Sequence, residues 1–298
     1  MDIASDRGKT ENADLPEADI PAVSAVGIMR AIHGLDISSF EEGFLHKTLE
    51  RQGEAAGCKS QKEYLELLSK NGAEAAALFE ALHVVYSEFF RDGVTFSLLE
   101  ARIFPALSVS AERSGRKGLR IWCAGCAAGH EAWSVAMLLE ELSVSRGRQV
   151  SYMIFGTDIS EPALDLARAG LYSAVAVKKV KKLHLDKYFT SQGDSFLVSK
   201  SIRERVKFSK LDLLDRGLSC PAISVYGDFD LILCNNVLIY YNGGARRFIL
   251  NKLESCLAPH GYLVTGEADR IIVDRFGGFR EFSAPAAIFS SDNNGGVK

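Results

Sequence analysis

The stretch that most constrains this chain is Leu119–Ala124, a six-residue apolar run that stops at Gly125 and gives way to helical spacing at Trp133, Ala136, Met137, Leu139, Glu140 and Leu142. Apolar residues without alternation, then glycine, then a 3.6-residue period read as a strand buried on both faces, a tight turn and a covering helix. The pattern repeats downstream. Strands are expected at Tyr152–Thr157, Val206–Leu211, Phe229–Cys234 and Tyr262–Thr265, with helices at Pro162–Ala169 and Arg246–Leu257. Such alternation predicts an α/β, Rossmann-like fold with a parallel sheet covered by helices on both faces.

Two segments fall outside the alternation. Between Tyr172 and Arg205 lie the basic run Lys178-Lys179-Val180-Lys181-Lys182 and an expected hairpin turning at Gly193-Asp194, read as a small β insertion over about 172–205. From Ile37 to about Leu107 the spacing is helical throughout: Phe40, Phe44, Leu45, Leu49; then Tyr64, Leu65, Leu67, Leu68; then Leu78, Leu82, Val85, leading to Phe89 and Phe90, with Gly57 and Gly72 as helix stops. The expected organisation is a disordered tail over 1–22, a helical domain over 23–108 and the sheet domain over 109–298. Low-complexity sequence is confined to Asp292–Gly296.

Composition narrows the class. The acidic, polar start lacks a basic-then-apolar secretory signal, and apolar runs such as Ala136–Leu139 are far short of the roughly 20 residues of a membrane helix, so no membrane insertion is expected. Six dispersed cysteines suit free thiols in a reducing, cytoplasmic setting; Cys123 and Cys126 lack a second ligand pair, so no metal is expected. No nucleic-acid partner is expected. Beneath a net charge of −3, residues 1–90 carry sixteen Asp/Glu against eight Lys/Arg, leaving the remainder mildly basic.

The strand ends carry the candidate chemistry. Ala124-Gly125-Cys126-Ala127-Ala128-Gly129 lets the backbone approach a ligand at a helix start with unpaired N–H groups, although a glycine there is often only a turn. Phe155-Gly156-Thr157-Asp158 sets a carboxylate beside that turn, where it can accept both hydroxyls of a ribose or, alternatively, cap the next helix. The strand Phe229–Cys234 runs into Asn235-Asn236, whose amides sit at the ligand crevice. No phosphate-cradling lysine loop is present, and the order fits a methyltransferase sheet that binds a nucleoside cofactor.

Three motifs in order, Tyr86-Ser87-Glu88-Phe89-Phe90-Arg91-Asp92, Ile121–Ser134 and Cys234-Asn235-Asn236-Val237-Leu238-Ile239-Tyr240-Tyr241, make the chain resemble the CheR-type protein-glutamate methyltransferases of bacterial chemotaxis, from about Phe40 to Ser290. The resemblance implies a class I methyltransferase sheet that binds S-adenosylmethionine and releases S-adenosylhomocysteine. Beside Gly125 of the glycine turn, it implies that Ser87, Arg91, Glu131, Asp158, Asp212, Leu213, Asn235 and Asn236 line the cofactor pocket, and that Arg91 and Tyr240 face the reacting methyl. A glutamate is already ionised at neutral pH, so transfer needs alignment more than a base. Outside the motif, Arg91 reads as a surface ion-pair residue and Tyr240 as a core aromatic.

Several positions depart from the family pattern. Gly129-His130-Glu131-Ala132-Trp133-Ser134 keeps the second acid of the usual Gly-Glu-Glu-Pro-Tyr-Ser, while His130 replaces the first: a titratable group by the site, or, the favoured reading, a bland change at a helix start. Val85 and Ser87 stand for the usual Asn and Thr, and Asn235 for an Arg. A domain docking on glutamate-rich receptor helices should be basic, yet the front is acidic, with only Lys47 and Arg51 spaced four apart. The Lys178–Lys182 run, with Arg203 and Arg205, is either an acidic partner's contact or a solvated face. The expected acceptor is a carboxylate, on a protein side chain or on a small molecule; a third reading is a cofactor-binding module without catalysis, disfavoured by the retention of Arg91 and Tyr240.

Overall fold

The computed structural model describes residues 20–224 and 226–291. The expected tail over 1–22 falls largely outside the described residues, as does the glycine–asparagine stretch near the C-terminus. The chain forms two compact units, one comprising residues up to Ser38 with Glu42–Ala81, the other Ser39–Glu41 with everything from Leu82 onward.

The first unit is helical. It holds α1 (Ile20–His33), α2 (Glu42–Ala55), α3 (Gln61–Lys70) and α4 (Gly72–Leu82), the last reaching the boundary. Met29, Ile37, Leu45, Leu49, Tyr64, Leu68 and Leu78 are fully or almost fully buried. Burying one such side chain stabilises by roughly 1.5–3 kcal/mol. Ser60 caps α3 by accepting the Glu63 N–H at 3.2 Å. A helix does stop at Gly72, and the next begins there: Asn71 sends its N–H to Leu67 O, closing α3, while its side-chain oxygen takes the N–H groups of Ala73 and Glu74 at 3.0 and 3.2 Å.

The expected third helix ends at Leu82, so Val85, Phe89 and Phe90 lie on a non-helical segment. The following helical run is α5 (Gly93–Leu98), a π turn at Leu99–Ile103 and α6 (Phe104–Arg113). Residues 82–108 therefore belong with the sheet, not with the helical front as the sequence boundary has it. Phe89, Phe96, Leu99, Ile103, Phe104 and Leu107 share one core with Ile121, Cys123, Trp133 and Met137. The run Gly93–Arg113 is by length and composition sufficient to cross a membrane, which the sequence reading overlooked. Its apolar face packs in that core.

Strand β1 (Leu119–Ala124), helix α7 (His130–Ser145), β2 (Tyr152–Asp158) and α8 (Glu161–Ala169) follow as expected. The insertion contains β3 (Leu171–Ser173), α9 (Lys182–Tyr188), β4 (Phe189–Gln192) and β5 (Ser195–Val198), in a three-stranded sheet ordered β3-β5-β4 with Gly193 at the hairpin turn. After α10 (Lys200–Arg203) come β6 (Val206–Lys210), β7 (Phe229–Cys234), α11 (Gly243–Cys256), β8 (Leu257–Thr265), α12 (Arg270–Phe276), β9 (Phe279–Ser283) and β10 (Ile288–Ser291).

The main sheet is ordered β6-β2-β1-β7-β8-β10-β9. Strands β6, β2, β1, β7 and β8 are parallel, as the alternation predicts, but β9 and β10 add an antiparallel edge that it did not. No helix separates those two short strands, so they pair as a hairpin. From β1 the chain moves outward through β2 to one side, then returns to β7 on the other. The carboxyl ends of β1 and β7 thus flank a topological switch point, where open α/β sheets bind ligands.

Candidate active site

The β1 turn is built for close approach. Gly125 has φ +73°, and a Cβ there would lie 2.6 Å from Val237 Cγ2; Gly129 has φ +82°, and a Cβ would lie 2.8 Å from that of Ala167. Only glycine meets both conditions without strain. The N–H groups of Gly125 and Cys126 both go to Thr157 O, at 2.8 and 2.9 Å, locking the turn to the end of β2.

Asp158, at that end, accepts the Ala127 N–H at 2.8 Å through one carboxylate oxygen and the Ser160 N–H at 2.9 Å through the other. The helix-cap alternative for Asp158 is excluded, because Ser160 caps α8 by accepting the Ala163 N–H. The half-buried Asp158 keeps further lone pairs facing a small cavity of about 70 Å³ that Leu211, Asp212, Leu213 and Tyr240 also line.

A cavity of about 960 Å³ adjoins it, lined among others by Ser87, Glu131 and Leu98. Tyr86, Arg91, Gly125, Asn235 and Asn236 border both. All ten residues singled out from sequence therefore face one or other of two joined spaces: Ser87 and Glu131 the larger, Asp158, Asp212, Leu213 and Tyr240 the smaller, the rest both.

Glu131 sits in the first turn of α7 and takes a hydrogen bond from the Asn235 side chain. Burial pushes its carboxyl up to about 7, against the opposing pull of Asn235, Cys123 and the Arg91 charge. Burial also raises the Tyr240 hydroxyl, with Arg91 acting the other way, so that it stays a protonated donor. The guanidinium of Arg91 lies over the Tyr86 ring at 5.1 Å.

His130 is not a free titratable group at the site. Its Nδ1 is 2.7 Å from Ser87 Oγ, and its ring meets Phe89 and Tyr172 at 4.8 and 4.7 Å. Burial lowers its pKa to about 4, so it is neutral at pH 7. One residue-pair away, Ser134 Oγ accepts the Phe90 N–H at 3.1 Å. Together these bonds fasten the segment carrying Ser87 and Arg91 to α7.

Sequence reasoning missed Asp269. It lies beyond β8, is wholly buried, and accepts the N–H groups of Val237 and Ile239 at 3.2 and 2.9 Å. Gly266 was missed as well: a Cβ there would lie 2.5 Å from Asn236 Nδ2, so the amide requires glycine opposite. The only sequence signal for either was proximity to a strand's carboxyl end. The same loop around Tyr240 is held by Phe40, whose ring stacks on Tyr241 at 5.4 Å, and by Glu41, whose N–H donates to Tyr240 O at 2.8 Å.

The donor set fits S-adenosylmethionine. A cradle that any side chain at Gly125 would fill, a carboxylate at the end of β2 with spare lone pairs, and a second carboxylate at the start of α7 match a nucleoside carrying a cationic amino-acid end. Among the described residues no cluster of His, Cys, Asp or Glu could hold a metal ion.

Residues 86–287 match the family model described as CheR methyltransferase, SAM binding domain. The chemotaxis protein methyltransferase of Borreliella burgdorferi is 30% identical over 241 residues, covering 80% of this chain and 83% of the relative. Chemotaxis protein methyltransferase 1 of Pseudomonas aeruginosa is 30% identical over 80% of this chain and 85% of its own, and the Salmonella typhimurium protein is 29% identical over 87% and 86%. A family-model match over more than half of the chain, with relatives 30% identical over four fifths of it, makes the chain a member of the CheR family and an S-adenosylmethionine-dependent methyltransferase.

Proposed function

We propose that this methyltransferase esterifies a glutamate side chain of a protein acceptor, working in the cytoplasm. A protein acceptor is supported by the relatives, named chemotaxis protein methyltransferases. Six cysteines, all free, suit a reducing compartment. S-adenosylmethionine, when bound, supplies a methyl activated by its sulfonium. Asp158 would accept hydrogen bonds from the ribose hydroxyls, Asp212 and Leu213 would hold the base, and Glu131 with Asn235 would receive the amino-acid end.

Arg91 holds the acceptor carboxylate by paired hydrogen bonds, and the protonated Tyr240 hydroxyl orients one of its oxygens. No base is required, because the acceptor is ionised at neutral pH. Ser87, bonded to His130, and Phe90, bonded to Ser134, keep the Arg91 segment in place. The observation that carries the reading is that Arg91 and Tyr240 line the same small cavity as Asp158 and Asn235, where acceptor and cofactor would meet.

The test is incubation of the protein and a cell extract with methyl-labelled S-adenosylmethionine, followed by separation of protein from small molecules. Base-labile label in the protein fraction is expected. Label only among small molecules overturns the protein acceptor.

A further inference from the structure

The β insertion carries a charge opposite to that of the whole chain. Over residues 171–205 eight Lys/Arg stand against three Asp/Glu, in a protein whose net charge is −3. Three of these lysines are neutralised nearby: Lys187 pairs with Glu141 at 2.8 Å, Lys200 lies 3.7 Å from Glu204, and Lys179 hydrogen-bonds Glu88. Lys178, Lys181 and Lys182 form no ion pair among the described residues, and neither does Asp186, one helical turn beyond Lys182. Glu100 and Lys181 line one cavity of about 330 Å³ without pairing across it.

The lysine run is anchored from below. Val177 and Val180 are buried in the main core with Tyr172 and Tyr188. Backbone bonds fix the turns between them: Val180 N–H donates to Val177 O at 2.9 Å, and Leu185 N–H to Lys181 O at 2.9 Å. On α9, His184 and Tyr188 face inward. Two aliphatic side chains at the ends of the run are left in water, Val175 at 70% exposure and Leu183 at 68%. One exposed aliphatic side chain is ordinary. Two that bracket three unpaired lysines on an anchored frame make the combination a lipid–water interface accepts, with carbon below the headgroups and ammonium beside the phosphates.

The chemistry favours a lipid surface over an acidic peptide. Every cation in the run is a lysine, a hydrated point charge without the planar fork that pairs with a single carboxylate, and so suited to diffuse negative charge. The run occupies a 3-10 turn over Ala176–Lys179 and the start of α9, so it offers a peptide no free ladder of backbone groups.

We propose that Val175–Leu183 is a peripheral contact with an anionic lipid surface, in which Val175 and Leu183 enter the headgroup layer and Lys178, Lys181 and Lys182 lie against lipid phosphates. The contact is weak, reversible and salt-sensitive, because it rests on three lysines and two short aliphatic side chains. It gathers the enzyme at a membrane without inserting backbone, and it is independent of the acceptor's identity.

The test is sedimentation of the full chain with vesicles of phosphatidylcholine alone and of phosphatidylcholine mixed equally with phosphatidylglycerol. Binding to the mixed vesicles is expected to be roughly tenfold tighter or more, and to be lost as salt rises from about 0.1 M to about 0.5 M. Lys178→Gln with Lys182→Gln should weaken it by roughly tenfold, and Val175→Ser with Leu183→Ser by roughly threefold to tenfold. Unchanged S-adenosylhomocysteine affinity shows that both variants fold. Equal binding to the two vesicle types, no binding to either, or binding that survives the lysine substitutions overturns the contact. Anionic binding that the serine substitutions leave untouched, or tighter binding of polyglutamate than of the mixed vesicles, makes the patch a contact for an acidic protein instead and equally overturns the lipid surface.

Discussion

The carboxylate of Asp269 accepts the N–H of Ile239 at 2.9 Å across a sequence separation of thirty residues, and so fastens the turn that presents Tyr240. A second bond, to the Val237 N–H at 3.2 Å, makes the clamp two-pronged. Asp269→Ala strands two backbone donors and should destabilise the protein by about 2–4 kcal/mol. Asp269→Asn keeps one acceptor oxygen and should cost less. Denaturant unfolding checks the order; an alanine variant as stable as the asparagine variant counts against the clamp.

Gly125 permits a second prediction because two independent constraints meet there. Its φ of +73° penalises any side chain, and its hypothetical Cβ clashes with Val237 Cγ2 at 2.6 Å. Gly125→Ala should therefore lose about 1–3 kcal/mol and bind S-adenosylhomocysteine at least tenfold more weakly. Adding Val237→Ala removes the clash but not the backbone strain. Partial recovery of affinity in the double variant is the expected result, and no recovery would place the whole cost in the backbone.

What the sequence discloses here depends on whether the cause is local. Strand β7 could be bounded residue by residue, because an apolar run buried on both faces is a local signal. The Gly125 turn and Asp158 were visible for the same reason, since each marks a strand's carboxyl end. Phe89 misled: its spacing from Leu82 and Val85 mimics a helix, while its actual partners, Tyr172 and Phe189, lie far along the chain. Asp269 gave no local sign beyond its place past the carboxyl end of β8, because its meaning comes from two N–H groups on another loop. The antiparallel edge of β9 and β10 escaped because short, half-polar strands carry little periodicity.

The proposed division of labour separates two variants. Asp158 touches the β1 turn and faces the small cavity, so Asp158→Ala should remove both a ribose acceptor and the Ala127 N–H partner, weakening S-adenosylhomocysteine binding by more than tenfold. Arg91 makes no such structural bond. Arg91→Ala should abolish transfer while reducing cofactor affinity much less. Calorimetry with S-adenosylhomocysteine and a methyl-transfer assay together decide it, and equal loss of binding in both variants would reject the roles assigned.

Neighbouring residues at the start of α7 titrate against one another. Burial raises Glu131 from 4.5 to about 7, so its ionisation opposes the fold: its contribution is present below pH 4.5 and lost as pH rises through 7. Burial lowers His130 from 6.5 to about 4, so its contribution is present above pH 6.5 and lost as pH falls through 4. The two windows overlap with opposite slopes of similar size, so that between pH 4.5 and 6.5 their effects largely cancel in the unmodified protein. Each single substitution should expose the other slope. Measured as the difference from the unmodified protein, which cancels the falling contribution of Asp269, raised by burial from 3.8 to about 6, the ligand-free stability of Glu131→Gln should rise with pH across that window and that of His130→Gln should fall, both followed as denaturation midpoints. Parallel slopes in the two variants would show that burial does not shift these groups in opposite directions.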